Sequence, residues 1–165
     1  MKRIAPIVAL VVLAAVGAAA WQWYFSDERA IRSRLGGLAD TLSMPANTTD
    51  IARVTRLAGL RKYFADDVHV RFGGQEVTSR DSLLALVSGW APPPGGVTVE
   101  FVDVQVTVDP DGASAHAYLT AKVTGRDART GEPTIDAREA NVAMARRDGD
   151  WVLSSAESED TLQKP

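Results

Sequence analysis

The stretch VTVEFVDVQVTVDPDGASAHAYLTAKV, residues 97–123, predicts the central part of a β-sheet. Its apolar residues recur at every second position, which is typical of strands that bury one face. The phase of this alternation changes between Phe101 and Val102. Because one regular strand cannot bury both phases on the same face, the sequence predicts a β-bulge or a bend there. The residues Asp-Pro-Asp-Gly at 109–112 then predict a turn into a second strand.

The segments after this pair extend the sheet. Residues 134–147 and 151–157 predict a further pair of strands, and Asp-Gly-Asp at 148–150 predicts the tight hairpin between them. In the strand that follows the turn at 109–112, every second residue is apolar and is expected to face the core. The other phase is polar and carries His116, Tyr118, Thr120 and Lys122. That outer face is expected to meet solvent or a partner.

The residues before the strands follow a helical period. Helices are predicted over 27–43, from Thr49 or Asp50, and from Ser79 to Trp90, with a short strand at 68–72. The residues expected to face the core are Ile31, Leu35, Leu38 and Leu42 in the first helix, and Ile51, Val54, Leu57, Ala58 and Leu60 in the second. Helices followed by a sheet predict an α+β domain, with the helices on one sheet face.

Composition excludes several classes of protein. The 165 residues carry a formal charge of −3 and include no cysteine. This excludes disulfides, thiolate metal sites and cysteine nucleophiles. Nucleic-acid binding is not expected at a sequence pI of about 5.4, because phosphate contacts need clustered Lys and Arg.

The first residues of the chain predict a location. Lys2 and Arg3 precede the uncharged segment 4–25, which as a helix would be about 33 Å long, enough to cross a bilayer core. Trp21 and Trp23 lie at its far end, where aromatic rings favour the membrane–water interface. The basic residues are expected to stay in the cytoplasm.

We therefore expect an uncleaved membrane anchor at residues 1–25. A domain over 26–157 follows outside the cytoplasm, and residues 158–165 form a flexible tail. The alternative is a signal peptide cleaved after the small residues 18–20, which would leave a periplasmic or secreted domain.

Several short motifs carry a family resemblance. They are YFADDVHV at 63–70, GG at 73–74, SRDSL at 79–83 and DGDWVL at 148–153. With this order of elements, residues 27–157 resemble the nuclear transport factor 2-like superfamily, in particular its SnoaL-like branch. The resemblance implies a cone-shaped, cystatin-like arrangement, with helices in the concave face of a strongly curved antiparallel sheet around an apolar pocket. It also implies a homodimer that packs through the outer sheet faces.

The same resemblance provides a test of catalysis. Ketosteroid isomerase, a member of this superfamily, uses an Asp base together with a Tyr and a neutral Asp that polarise the substrate oxygen. When the 63–70 motif is aligned, Phe72 stands at the position of the base, and Ala140 or Asn141 at that of the neutral acid. The first helix, 27–43, contains no Tyr. The resemblance therefore does not imply this isomerase chemistry, and no catalytic residue is predicted.

Asp66 and Asp67 are the candidate carboxylate pair. They could serve acid–base chemistry or metal binding. The interpretation that we favour is a helix-to-strand connection, in which both side chains bond to backbone. His69 lies nearby, but Asp-Asp-x-His is not a recognised metal-ligand spacing. We expect neither a metal nor a cofactor.

The predicted ligand-binding residues are Phe72, Trp90, Arg138 and Trp151. The two tryptophans are core residues in the simplest interpretation and pocket residues in the other. An inward Arg138 could pair with a ligand carboxylate, although Asp136 or Glu139 could neutralise it.

Two functions follow from these observations. The first is a non-catalytic domain, tethered to the membrane, that binds a small apolar ligand or a protein partner. The alternative is an isomerase, cyclase or hydratase that uses Asp66, Asp67, His69 or Arg138. Ionisable side chains that converge inside the cone would favour catalysis, and an apolar lining would favour binding.

Overall fold

The computed structural model describes residues 5–93, 95–127 and 129–158, and within the first helix it describes the side chains of 12–17 and from Ser26 onward. The helices are α1 (Ala5–Leu42), α2 (Asp50–Leu60) and α3 (Arg80–Gly89), and a short 3₁₀ helix, Arg61–Tyr63, follows α2. The strands are β1 (Met44–Pro45), β2 (Phe64–Phe72), β3 (Gln75–Val77), β4 (Gly96–Val108), β5 (Ser114–Arg126), β6 (Pro133–Arg147) and β7 (Asp150–Ser158). The predicted α+β class is confirmed.

The strands form one open sheet in the order β1-β4-β5-β6-β7-β2-β3. Strands β4 to β7 are antiparallel neighbours, as the hairpin signals predicted. Strand β2, however, runs parallel to β7, with His69 opposite Ser155. The prediction of a wholly antiparallel sheet is therefore wrong at this pair. Alternation shows which face of a strand is buried, but it does not encode the direction of a distant neighbour.

Strand β4 contains the predicted bulge. Its register against β5 shifts between Val102 and Gln105, and Asp103 has a φ of 53°. One extra residue lets both apolar phases reach the inner face, because the side-chain direction is reset at the bulge. The bulge lies one to two residues beyond the predicted position.

Helix α1 packs against the inner face of β4, and the two elements run in opposite directions. Its Arg32 donates to the carbonyl of Val104, and the hydroxyl of Ser43 accepts from the N–H of Val99 at 2.9 Å. The predicted inward residues Ile31, Leu35 and Leu38 are buried. The apolar face of α1 therefore forms the helical side of the core.

The starts of α2 and α3 are capped as predicted. The side chain of Thr49 accepts from the N–H of Ala52, and that of Ser79 accepts from the N–H of Ser82. These bonds satisfy amide groups that a helix leaves unpaired at its first turn.

The orientation of α2 differs from the prediction. Leu60 is buried, but Ile51 is 80% exposed and Val54 is 63% exposed. The side of α2 that faces α1 carries Arg56, whose Nη1 donates to the carbonyls of Asp40 at 3.1 Å and Ser43 at 2.9 Å. Since these carbonyls end α1 and need donors, Arg56 lies inward, and Ile51 and Val54 lie outward.

The backbone of α1 is one helix of 38 residues that passes through the predicted boundary at 25/26. Within the residues whose side chains the structure describes, no helical segment is both long and apolar enough to span a bilayer. Most side chains of the predicted anchor, 1–25, and the tail beyond Ser158 lie outside the described residues.

Candidate functional site

An apolar cavity of about 920 Å³ lies at the C-terminal end of α1, between α3 and the inner face of β4 and β5. Its described lining consists of Leu42, Met44, Phe72, Ala85, Leu86, Val87, Gly89, Trp90, Val97, Val99, Phe101, Ala121 and Val123. None of these side chains can ionise. The arrangement can therefore exclude water and hold an apolar molecule, but the described lining supplies no acid or base.

Pairing of β1 with β4 fixes one wall of the cavity. Met44 pairs with Val97, and Pro45 pairs with Gly96, which has a φ of 75°. A Cβ at Gly96 would lie 2.6 Å from the carbonyl oxygen of Met44, so this close approach requires glycine. The pairing holds Met44 and the end of α1 over the first half of β4.

The opposite wall comes from β5 and α3. Phe101 lies opposite Ala121, and Val99 lies opposite Val123, so β5 presents only small or medium side chains to this part of the cavity. Leu86 on α3 and Trp90, which directly follows the helix, are about half exposed and border the opening. We call this end of the domain the mouth end.

The other end of the interior, which we call the closed end, is packed with core side chains, and Arg146 and Trp151 also border a polar depression of about 480 Å³ there. There Asp27 of α1 is buried and accepts from Nη2 of Arg146 at 3.0 Å. The guanidinium of Arg146 lies 5.3 Å from the ring centre of Trp151, and both Trp151 and Met144 belong to the buried core. Trp151 is therefore a core residue at the opposite end from the cavity.

The structure brings two of the four predicted ligand-binding residues together. Phe72 and Trp90 both line the cavity, and the interpretation of Trp90 as a core residue is wrong. Trp151 belongs to the closed end. Arg138 is not part of the lining, but it lies opposite Ala121, a lining residue, in the pairing of β5 with β6.

Arg138 interacts with Asp136 on the same strand. Its Nε lies 3.2 Å from Oδ2 of Asp136, and the side chains are 46% and 63% exposed. Arg138 is opposite Ala121, and Asp136 is opposite Val123, and both of these β5 residues line the cavity. Directly opposite residues of an antiparallel pair share a face, so Arg138 and Asp136 lie on the inner face beside the cavity.

The candidate catalytic residues lie elsewhere. Asp66 forms an ion pair with Arg80, and Nδ1 of His69 lies 2.9 Å from the carbonyl oxygen of Asp67. Asp66 and Asp67 border a separate polar depression of about 440 Å³. No group of three His, Asp or Glu side chains suited to a metal occurs among the described residues.

The outer face carries the polar row predicted from β5. Tyr118, His116 and Asn141 border a shallow depression of about 280 Å³, and Nε2 of His116 lies 3.8 Å from Oδ2 of Asp109. The homodimer that the resemblance assigns to this face stays a prediction.

Two exposed carboxyl groups have lowered pKa values, and both lie in turns. The backbone N–H of Ala113 lowers the pKa of Asp111, and the backbone N–H of Thr130 lowers that of Asp127. Hydrogen bonds to the ionised form stabilise these turns. Neither carboxyl lines the cavity.

Several lining residues were not predicted as site residues. Ala121 and Gly89 leave volume in the cavity because they are small, and Leu86 borders its opening. Small residues at inward-facing positions are a signal for a cavity, but a single sequence does not show whether a neighbour fills the space.

Solved structures with the same fold come from several bacteria. A nuclear transport factor 2-like protein with a cystatin-like fold from Novosphingobium aromaticivorans has a TM-score of 0.69 and 19% identity, over 90% of this chain and 92% of that one. A candidate scytalone dehydratase from the same organism has a TM-score of 0.68 and 15% identity, over 86% and 88%. ActVI-ORFA from Streptomyces coelicolor has a TM-score of 0.63 and 17% identity, over 82% and 98%.

At these identities the likeness concerns the fold alone. No curated protein matches the sequence. The sequence profile of the SnoaL-like domain matches residues 52–157, which is more than half of the chain. This match agrees with the cystatin-like arrangement around an apolar cavity. The chain belongs to the SnoaL-like domain family.

Proposed function

We propose that this domain binds a small apolar molecule in the cavity at its mouth end. The proposal rests on the character of this cavity. It has a volume of about 920 Å³, and none of its described lining residues has an ionisable side chain. Burial of apolar ligand surface against such a lining is the main favourable contribution to binding.

Binding explains this geometry better than catalysis does. An isomerase, cyclase or hydratase needs an acid or base within reach of the reacting atoms. Asp66 is instead exposed and paired with Arg80, and His69 bonds to a backbone carbonyl. The candidate scytalone dehydratase shares the fold, and at 15% identity it does not carry a reaction to this chain.

Filling the cavity tests the proposal. The neutral dye N-phenyl-1-naphthylamine fluoresces in apolar sites, and its titration with the full-length chain should give saturable binding. Ala121→Phe places a ring inside the cavity and should weaken binding by about tenfold or more, which corresponds to about 1.4 kcal/mol.

The matched control is Ala137→Phe, because Ala137 is an exposed residue opposite Lys122 on the outer face. It should bind the dye as the unaltered chain does. Equal affinities of the two variants, or no saturable binding by the unaltered chain, would overturn the proposal.

We also propose that the domain is tethered outside the cytoplasm. The support is the sequence, in which Lys2 and Arg3 precede 22 uncharged residues. Alkaline phosphatase fused to the C-terminus should be active, and green fluorescent protein fused there should not fluoresce. The full-length chain should also resist extraction from membranes by carbonate. The reverse fusion pattern contradicts the orientation, and a mature N-terminus at Trp21 contradicts the anchor.

A further inference from the structure

We propose that the ligand is an amphipathic monocarboxylic acid, whose apolar body fills the cavity and whose carboxylate pairs with Arg138. This inference rests on the proposed function, since it names the class of molecule that the cavity binds.

The register of β5 and β6 places a cation beside the apolar lining. Ala121, which lines the cavity, is directly opposite Arg138, and Val123, which also lines it, is opposite Asp136. Opposite residues in an antiparallel pair have Cβ atoms about 5 Å apart on the same face. The long side chain of Arg138 can therefore reach a head group at the edge of the cavity.

Other basic residues of this region are engaged away from the inner face. Nζ of Lys122 lies 3.2 Å from Oε2 of Glu100, on the outer face. Nη1 of Arg126 donates to the carbonyl of Gly131 in the loop between β5 and β6. Among the inward positions of the described β5 and β6, Arg138 is thus the cation nearest to the lining.

The ion pair of Arg138 with Asp136 is an interaction that a ligand carboxylate can replace. Nε contacts Asp136 at 3.2 Å, and both side chains are substantially exposed. Exposed ion pairs contribute little to stability because water screens them. A ligand carboxylate next to the apolar lining would be less screened, and the guanidinium can bind it through two parallel hydrogen bonds.

Asp136 also restricts the charge of the ligand. A dianionic head group, such as a phosphate monoester, would bring a second negative charge towards this carboxylate. The two negative charges would repel each other, which would weaken binding of the dianion. A single carboxylate fits the pair of Arg138 and Asp136 better.

The experiment compares decanoic acid with decanol at neutral pH, as competitors for N-phenyl-1-naphthylamine bound to the full-length chain. The unaltered chain should prefer the acid. Arg138→Gln should weaken decanoate binding by about tenfold, as expected for loss of a charge-assisted hydrogen bond, and should leave decanol binding unchanged. Asp136→Asn should strengthen decanoate binding, because it removes the competing carboxylate.

Lys122→Gln is the matched control, since it removes the same charge from the other face of the sheet and should leave the acid preference intact. Equal losses in Arg138→Gln and Lys122→Gln would overturn the inference, and so would equal competition by decanol and decanoate. Dye binding that neither compound displaces would also overturn it while leaving the proposed function standing. If the dye itself does not bind, the proposed function and this inference both fail.

Discussion

The mouth end and the closed end are built by the same helix and the same sheet, but they are packed differently. At the closed end Ile31, Leu35 and Met144 are almost fully buried and fill the space between α1 and the strands. At the mouth end, Leu42 of α1 and Ala121 of β5 border about 920 Å³ of open volume. One amphipathic helix on one curved sheet thus provides a core at one end and a binding cavity at the other.

The difference shows how a small domain can keep stability apart from ligand binding. The ion pair between the buried Asp27 and the partly exposed Arg146 also lies at the closed end, where the guanidinium of Arg146 lies over the ring of Trp151. The mouth end relies on backbone pairing of β1 with β4 and on the bond between Ser43 and Val99. The structure of the mouth end therefore depends less on close side-chain packing than that of the closed end does.

A pair of identical substitutions on α1 gives the largest expected contrast. Leu35→Ala removes a fully packed side chain and should lower the free energy of unfolding by about 3 kcal/mol, because it creates a new cavity. Leu42→Ala removes a side chain that already borders a cavity, so the loss should be about 1 kcal/mol.

Urea denaturation of the full-length variants, followed by circular dichroism, measures both values. Equal losses at the two positions would mean that the two ends are equally packed. A larger loss at Leu42 would reverse the comparison. Dye titration of the same proteins adds a second contrast, since Leu42→Ala should change dye affinity and Leu35→Ala should not.

Local signals in the sequence predicted much of the fold. The inward residues of α1 follow from the helical period, and the caps Thr49 and Ser79 follow from side chains that accept amide hydrogen bonds. The bulge near Val102 follows from the change of phase in β4. Each of these features depends on residues close together in the chain.

Features that depend on distant residues were not predictable in the same way. Ile51 and Val54 of α2 lie outward because Arg56 contacts the end of α1, and the helical period of α2 does not encode that contact. Trp90 lines the cavity and Trp151 lies in the core because contacts between distant elements position α3 and β7, and these contacts are not visible in either local sequence. The cavity itself is volume left between elements, and Phe72 and Trp90 were assigned to it through the family resemblance and residue type.

A smaller effect should appear at the two adjacent glycines near the C-terminal end of α1. Gly36 is exposed, and a Cβ there would meet no atom within 4 Å. A Cβ at Gly37 would lie 2.7 Å from the hydroxyl oxygen of Tyr63. The ring of Tyr63 is buried, with the cationic groups of Arg34 and Lys62 about 5 Å from its centre, so it has little room to move.

Gly36→Ala should therefore raise the free energy of unfolding by about 0.5–1 kcal/mol, the gain expected from helix propensity alone. Gly37→Ala has the same propensity gain but must displace Tyr63, and it should be less stable than Gly36→Ala by about 1 kcal/mol or more. Urea denaturation measures this difference, and adding Tyr63→Phe tests its cause by removing the hydroxyl. If that second change does not narrow the gap, packing against Tyr63 is not what distinguishes the two glycines.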